Sequence, residues 1–281
     1  MSLRFITVGD PHQFTTKIQK IVSFINRSNV DFAVFLGDID QCDLITYNNI
    51  KNELSNLNKK YYILGGNHDL SSVQCGSNID KYGQIFSPLN IIDNVKGYQI
   101  VTASWLITND WSFLFNGVDK NRSTLVFTHG PVVEPQVSCP LEDFHRYNFT
   151  MKSELDKLRN LICVYAGHIH ESDQGIYQGI RQIIEDATVE SRCNLPPTNK
   201  IGYTRVSCDD FKYTRLDYNS TFTDPFPGDL PDCNGGDGWD GWTLDPKIIP
   251  ILLSVSIVGI AYFISRKQKV SVDDNMNNLD I

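Results

Sequence analysis

Residues 3–12 have the sequence LRFITVGDPH, a short apolar run that ends at a glycine and leads directly into an aspartate and a histidine. A run of this length, bounded by glycine, is typical of a buried β-strand. Four similar runs follow along the chain, and we predict a strand from each of them: residues 32–36, 61–64, 124–127 and 161–165. The chain therefore uses one local pattern several times, a buried strand that ends in glycine or polar residues.

Helical patterns separate several of these strands. Apolar residues recur at helical spacing in three segments, from which we predict amphipathic helices: residues 15–26, 42–57 and 151–159. Strands that alternate with helices are typical of an α/β domain. Beyond Gly175 the pattern changes to short β-like runs. We expect these runs to close a second, antiparallel sheet, and they lie at residues 182–185, 201–207 and 212–217.

Histidines, carboxylates and one amide follow the predicted strands. Five of the six histidines lie in four short motifs, each directly after a strand. Ligands bind at the carboxyl ends of strands in open α/β sheets, so we expect the polar residues of these motifs to converge at one edge. They are Asp10, His12, Asp38, Asn67, His68, His129, His168 and His170. The sixth histidine, His145, lies in a polar segment and is expected at the surface.

The chemistry of these residues suits a transition metal. Asp10 and His12 are two residues apart and can face one cation, and Asp38 adds a carboxylate that could bridge two. Nitrogen and oxygen donors together favour Mn, Fe, Co, Ni or Zn over an all-oxygen calcium site or a thiolate zinc site. Two such ions about 3.5–4 Å apart clamp a phosphoryl group and generate hydroxide near neutral pH. The implied chemistry is phosphoester hydrolysis.

In order along the chain, the motifs D-x-H, GD, GNHD, THGP and GHIH are similar to those of the calcineurin-like metallophosphoesterase superfamily. The similarity covers roughly residues 3–218. It implies a four-layer α/β/β/α fold, in which a β-sandwich lies between helices, with a dinuclear metal centre and water as the nucleophile. The motifs THGP and GHIHE resemble those of the branch that includes cyclic-nucleotide phosphodiesterases and related enzymes for small phosphodiesters.

The resemblance also implies a role for each motif residue. His68 would donate to the phosphate or to the leaving oxygen, and Asp69 would orient it. Two divalent transition-metal ions would be the cofactors and a small phosphoester the substrate. Seven residues would bind the ions, bridged by Asp38: Asp10, His12 and His170 on one ion, and Asn67, His129 and His168 on the other.

Two details of the GD motif differ from common family patterns. The family often has GDxxD or GDxxN, whereas here Asp40 comes one residue early and Gln41 takes the usual position. Residues at such positions orient metal ligands, so the support of the site differs here. The GDxVDRG wording of protein Ser/Thr phosphatases is absent from the sequence. This absence argues against phosphoprotein substrates.

Charge and composition bear on the alternative functions. The net charge of -8 argues against a phosphate-backbone binder, and so against a nuclease of the same superfamily. A non-catalytic scaffold with this fold would be expected to lose metal ligands, and every motif ligand is present. Seven cysteines without a C-x-x-C pair indicate neither a zinc knuckle nor a thioredoxin-type site. Trp105 and Trp111 could stack on a base or a lipid headgroup, but core packing is the commoner role.

The C-terminal part of the chain has the pattern of a membrane anchor. Residues 248–265 carry no charge, and basic residues flank them: Lys247, Arg266, Lys267 and Lys269. A helix of this length extends about 27 Å, close to the roughly 30 Å of a bilayer's hydrocarbon core. We therefore expect a catalytic domain at residues 1–222, a linker at 223–247, a transmembrane helix at 248–265 and a short polar tail at 266–281.

Two signals disagree on the orientation of this anchor. The basic residues after the span favour a cytoplasmic tail, which would put the catalytic domain outside. The first apolar run contains Arg4 and leads straight into Asp10, so we do not expect it to act as a signal peptide. We give the second signal more weight and expect a single-pass membrane protein whose catalytic domain lies in the cytoplasm.

Overall fold

The computed structural model describes eight segments of the chain: residues 2–12, 15–39, 43–70, 79–105, 110–137, 149–188, 198–207 and 210–228. All of them lie in Met1–Trp239, the first of two units into which the chain divides; the second is Asp240–Ile281. Among these segments, no helix has both the length and the apolar character needed to cross a bilayer. The expected transmembrane helix at residues 248–265 lies outside the described residues, so the membrane anchor stays a prediction.

Strands alternate with helices in the first part of the described chain, and the last five elements are all strands. Their order is β1 (Leu3–Val8), α1 (Thr15–Arg27), β2 (Phe32–Phe35), α2 (Leu44–Leu54), β3 (Lys60–Ile63), α3 (Asn67–Leu70), α4 (Ile79–Phe86), β4 (Ile91–Val95), β5 (Tyr98–Ala103), α5 (Ser112–Phe115), β6 (Thr124–Thr128), a 3-10 turn (Phe149–Met151), α6 (Lys152–Leu155), β7 (Leu161–Ala166), β8 (Asp173–Tyr177), β9 (Ile180–Ile184), β10 (Lys200–Ser207) and β11 (Asp210–Asp217). The five strands predicted first are all present, as β1, β2, β3, β6 and β7. The α/β prediction is confirmed.

The strands form two sheets. The first has the order β11-β10-β1-β2-β3, in which β1, β2 and β3 are parallel. The second has the order β4-β5-β6-β7-β9-β8, in which the four central strands are parallel and the two edge strands antiparallel. Parallel strands point their carboxyl ends in one direction, which places the loops after them side by side.

The last two strands extend the first sheet, which corrects one expectation. We expected residues 201–207 and 212–217 to close the second sheet, but β10 pairs antiparallel with β1, from Leu3 opposite Val206 to Thr7 opposite Gly202. β11 then pairs with β10 at the edge. The pairing is possible because β2 occupies only one side of β1, so a strand far along the chain can fill the other. Of the three late runs, only residues 182–185, as β9, join the second sheet.

The third predicted helix is much shorter than expected. Residues 151–159 have helical spacing, yet the α-helix covers only Lys152–Leu155. The chain then tightens, because Leu158 N–H donates to Leu155 O at 3.0 Å, three residues back. Met151, Leu155 and Leu158 are nevertheless all buried. A tight turn buries apolar residues at this spacing as well as a continued helix does.

Three clusters of buried side chains separate four layers. Phe5, Phe32 and Phe127 lie in the cluster between the two sheets, where Phe5 stacks on Phe32 at 5.0 Å. A second cluster packs α1, α2 and α4 on the outer face of the first sheet. A third packs α5 and α6 on the outer face of the second sheet and includes Trp111, so the core role expected for Trp111 is confirmed. The layers thus follow the expected helix, sheet, sheet, helix order.

Two hairpins at the edges of the second sheet were not predicted. β4 joins β5 through Lys96-Gly97, and β8 joins β9 through Gln178-Gly179. Both residues of each turn have positive φ, between 51° and 87°. Two-residue turns of this kind favour glycine at the second position. The residue pairs Lys96-Gly97 and Gln178-Gly179 were therefore the sequence signal from which the two hairpins could have been predicted.

Candidate metal centre

The structure brings the seven expected metal ligands together at the carboxyl ends of five strands. The segments that follow β1, β2, β3, β6 and β7 supply them, in agreement with the expectation for an α/β fold. None of the seven side chains is more than 7% exposed. They are Asp10, His12, Asp38, Asn67, His129, His168 and His170.

The ligand atoms fall into two groups that share one carboxylate. Within each group, one nitrogen or oxygen atom per residue lies within 4.8 Å of the others. Asn67 joins the second group, because its Oδ1 lies 2.9 Å from Nε2 of His129. The groups are Asp10, His12, Asp38 and His170, and Asp38, His129 and His168. The family resemblance implies the same division, and Asp38 belongs to both groups. That these residues bind two ions stays a prediction.

The distances within these groups fit metal ions. Two ligand atoms that bind one ion at about 2.1 Å, at right angles, lie about 3 Å apart. Nε2 of His12 and Nε2 of His170 are 3.2 Å apart. Oδ2 of Asp38 is buried and lies 3.4 Å from Nε2 of His129 and 4.0 Å from Nε2 of His12. A buried carboxylate oxygen surrounded by imidazole nitrogens is a suitable site for a cation.

The backbone at the ligands is strained. Positive φ is uncommon for residues other than glycine and costs about 1 kcal/mol or more each. Seven described residues other than glycine have positive φ, and five of them are expected ligands. The five are Asp10 (25°), His12 (33°), Asp38 (51°), His168 (71°) and His170 (62°). Such strain concentrates at functional sites, where it presents side chains that a relaxed loop would not.

Two glycines allow the loops to approach each other. A Cβ on Gly66 would lie 2.1 Å from Oδ1 of Asp38. A Cβ on Gly37, whose φ is +102°, would lie 2.7 Å from Nδ1 of His129. Both distances are shorter than any contact that a real Cβ makes, so the GD and GNHD motifs need these glycines for packing against the ligands themselves.

The orientation of His129 directs one ring nitrogen into the site. Its Nδ1–H donates to the Leu36 carbonyl at 2.8 Å, which leaves Nε2 facing Asn67 and Asp38. Such a hydrogen bond at the far nitrogen is a usual feature of histidine ligands. Burial lowers the pKa of His129, but the Asp38 carboxylate outweighs burial and raises it above its usual value. A metal ion at Nε2 would therefore replace a proton.

Asp38 stays ionised among these imidazoles. Burial raises the pKa of Asp38, but the charge and hydrogen bond of His129, helped by two further histidines, lower it well below its usual value. Oδ1 of Asp38 also accepts the backbone N–H of His68 at 2.9 Å. The carboxylate is thus negatively charged and held in place by the next loop.

His68 differs from the seven ligands in its exposure. Its side chain is 23% exposed, and its Nε2 lies 3.9 Å from Oδ2 of Asp38. Its ring meets that of His12 edge to face, with the centroids 5.2 Å apart. His68 therefore lies beside the two groups on a side that solvent can reach.

Asp69 holds two loops of the site together. Its Oδ2 accepts the backbone N–H groups of Ile39 at 3.1 Å and of Gly66 at 2.9 Å. Its Oδ1 accepts the hydroxyl of Tyr47 at 3.1 Å. Asp69 thus joins the start of α3, which carries His68, to the segment that follows Asp38. Its expected role in orienting the His68 ring stays a prediction, and Asp40, Gln41 and His145 lie outside the described residues.

Gln182 supports the site without being predicted. Its side-chain oxygen accepts the N–H groups of Val132 at 2.9 Å and Val133 at 3.2 Å, and its amide donates to the Val133 carbonyl at 2.9 Å. These bonds fix the segment that follows His129. The residue comes from β9, about 50 positions away, so no local signal pointed to it.

Glu185 is a second buried group that was not predicted. It follows β9 and accepts hydrogen bonds from the hydroxyls of Thr7 and Tyr213. Burial raises its pKa to about 7, against the lowering effect of those hydroxyls and of Arg215. Its neighbour Asp186 forms an ion pair with Arg215. The available signal was two adjacent carboxylates, Glu185 and Asp186, where the β-like run at residues 182–185 ends.

The family model for calcineurin-like phosphoesterases matches residues 3–172, more than half of the chain. A search by sequence among curated proteins finds no match.

Solved structures resemble the fold at low sequence identity. The purple acid phosphatase from yellow lupin (Lupinus luteus) seeds has a TM-score of 0.57 and 10% identity, over 79% of this chain and 52% of that chain. A dimetal phosphatase from Danio rerio has a TM-score of 0.51 and 12% identity, over 77% and 99%. The protein TT1561 of Thermus thermophilus has a TM-score of 0.53 and 10% identity, over 78% and 100%. At these identities the likeness concerns the fold alone.

Proposed function

This chain belongs to the calcineurin-like phosphoesterase family, and we propose that it hydrolyses a small phosphodiester with two divalent transition-metal ions. The observation that carries the proposal is the sharing of Asp38 by two groups of ligand atoms. A single structural metal would need one closed set of about four ligands. Two sets joined by a carboxylate are instead the arrangement of a two-ion catalytic site.

Each group would hold one ion. Asp10, His12 and His170 would bind the first ion, and Asp38 would bind both. The second ion would also take Asn67, His129 and His168. When bound, the two ions would polarise the phosphoryl oxygens and lower the pKa of a water that attacks phosphorus.

His68 is the group best placed to act on the leaving oxygen. It is the most exposed of the motif histidines, so a substrate above the ligand groups could reach its ring. Its backbone N–H bond to Asp38 keeps it at a fixed distance from the ligands. A protonated His68 would give its proton to the leaving oxygen as the phosphoester bond breaks.

Sequence features favour a small diester over other phosphoesters. The chain lacks the GDxVDRG wording of protein Ser/Thr phosphatases, and its net charge of -8 opposes binding of long nucleic acids. The THGP and GHIHE motifs resemble those of the phosphodiesterase branch that acts on cyclic nucleotides and other small diesters. The proposed substrate class follows from these features together.

A substrate comparison with the full chain tests the proposal. The protein, reconstituted with Mn²⁺, is assayed on bis(p-nitrophenyl) phosphate, p-nitrophenyl phosphate, cyclic nucleotides and single-stranded DNA, with and without a chelator. We expect the diester to be hydrolysed at least tenfold faster than the monoester, and chelation to stop hydrolysis. A faster monoester reaction would indicate a phosphatase, and rapid DNA cleavage a nuclease. Metal binding without hydrolysis of any substrate would indicate a scaffold.

A further inference from the structure

Trp105 lies where the two sheets meet at the metal centre. It follows β5 of the second sheet by two residues, and its backbone N–H donates to the Gly65 carbonyl, in the loop after β3 of the first sheet, at 2.7 Å. Its side chain is buried, with 6% exposed. With so little exposed surface, the indole has no face available for stacking on a substrate.

The indole contacts the histidines of one ligand group. Its ring centroid lies 5.2 Å from that of His168, with the planes tilted by 38°. It lies 5.7 Å from the centroid of His129, which it meets edge to face. Both histidines belong to the group that Asn67 completes. In the other group, His12 and His170 contact each other, with centroids 5.0 Å apart.

These contacts give the two ion positions different surroundings. A histidine ligand must keep its ring plane aligned with the ion, and packing around the ring lowers the entropy that alignment costs. An apolar wall also excludes water that would compete for the ion. The indole supplies both effects at His168 and His129. The His12 position lies instead beside the partly exposed His68.

We propose that Trp105 is a positioning residue for the second ion, which it stabilises by holding the imidazoles of His129 and His168 in their binding orientation. This inference rests on the proposed two-ion site. Loss of the flat ring should weaken the second ion selectively. Residues that support ligands in this way change metal affinity by about 10- to 100-fold.

The test measures metal affinity in three variants of the full chain. Trp105→Leu keeps an apolar side chain but removes the flat ring, and Trp105→Phe restores an aromatic ring. Trp111→Leu is the matched control, because Trp111 is also buried but lies in the core outside the second sheet. Equilibrium dialysis with Mn²⁺, followed by elemental analysis, gives the affinity of each ion, and circular dichroism checks folding.

We expect Trp105→Leu to bind its second ion about 10- to 100-fold more weakly than the unmodified chain does, with the first unchanged. Trp105→Phe should recover most of the affinity, and Trp111→Leu should bind both ions normally. Equal affinities in Trp105→Leu and the unmodified chain would overturn this inference and leave the proposed function standing. So would weakening of both ions together, or the same loss in Trp111→Leu. An unmodified chain that binds one ion would overturn the proposed function as well.

A second measurement does not depend on the folding of Trp105→Leu. Co²⁺ quenches a nearby indole, so titration of the unmodified chain should quench part of its fluorescence as the second ion binds. Trp105→Phe should lack that part. Quenching that persists in full in Trp105→Phe would contradict the placement of the second ion beside Trp105.

Discussion

Nε2 of His12 and Nε2 of His170 lie 3.2 Å apart, although the two residues are separated by 158 positions in the chain. Both rings are buried, and both follow strands of different sheets, β1 and β7. Two neutral imidazoles in this arrangement can share a single proton or bind a single cation. The contact shows that the two sheets meet to form the first ligand group.

Substitution of His68 separates catalysis from metal binding. Because His68 lies outside both ligand groups, His68→Asn should keep both ions and lower turnover by roughly 10²–10⁴-fold, the usual contribution of a positioned acid or base. His129→Asn should instead release the second ion. Elemental analysis and diester hydrolysis are measured on both variants. An empty site in His68→Asn, or an unchanged rate, would show that the role assigned to His68 is wrong.

The hydroxyl of Tyr47 should contribute more stability than that of its neighbour Tyr82. Tyr47 donates to the buried carboxylate of Asp69 at 3.1 Å, whereas Tyr82 donates to the neutral Leu64 carbonyl at 2.6 Å. Hydrogen bonds to charged groups contribute about 1.5–3 kcal/mol and neutral ones about 1 kcal/mol. Urea unfolding should therefore show a greater loss for Tyr47→Phe than for Tyr82→Phe. The reverse order would mean that Asp69 does not depend on Tyr47.

Glu185 should make the protein less stable as pH rises. Its pKa is about 7 in the folded chain and near its ordinary value of 4.5 when unfolded. Between these values the unfolded chain releases the proton and the folded chain keeps it, so the free energy of unfolding falls with pH and levels off above about 7. The fall amounts to about 2–4 kcal/mol.

Comparison with Glu185→Gln isolates this effect from other groups. Thr7, Tyr213, Arg215 and Asp186 face Glu185 in both proteins, so their contributions largely cancel. Urea unfolding at pH 5 and pH 8 should show a smaller fall in the variant. Equal falls would mean that Glu185 is ionised in the folded chain across this range.

Much of the site could be predicted because its residues follow strands that are recognisable locally. Each motif lies directly after a short apolar run, and parallel strands carry such loops to one edge. Asp10, Asp38 and His129 were therefore found without knowledge of which strand pairs with which. The strain at Asp10 and Asp38 arises at the same positions, where the chain turns sharply into the site.

The remaining features depend on pairing between distant segments. β10 fills the free side of β1, and no local pattern in residues 201–207 distinguishes the first sheet from the second. Gln182 and Trp105 act through residues far from them in the chain, and their own neighbours in sequence resemble ordinary core strands. The prediction of a helix over residues 151–159 was wrong in its length, because tight turns bury the same apolar positions.

We also propose that residues 248–265 anchor the chain in a membrane with the catalytic domain in the cytoplasm. The full chain should float with lipid vesicles in a density gradient, and deletion of residues 248–265 should abolish flotation. Asp38→Asn is a suitable control, because it changes the metal site and leaves the span intact. Flotation of the deletion variant would refute the anchor. Digestion of the catalytic domain by protease added to intact cells would show that the domain faces the exterior instead.

The number of metal ions per chain, measured by elemental analysis of the full-length protein and of Asp38→Asn after reconstitution with Mn²⁺, tests the central claim most directly. Asp38 belongs to both ligand groups, so its loss should disturb both ions at once. We expect about two ions in the unmodified chain and fewer than one in Asp38→Asn, with diester hydrolysis lost in parallel. One ion or none in the unmodified chain, or two ions retained in Asp38→Asn, would contradict a two-ion site bridged by Asp38.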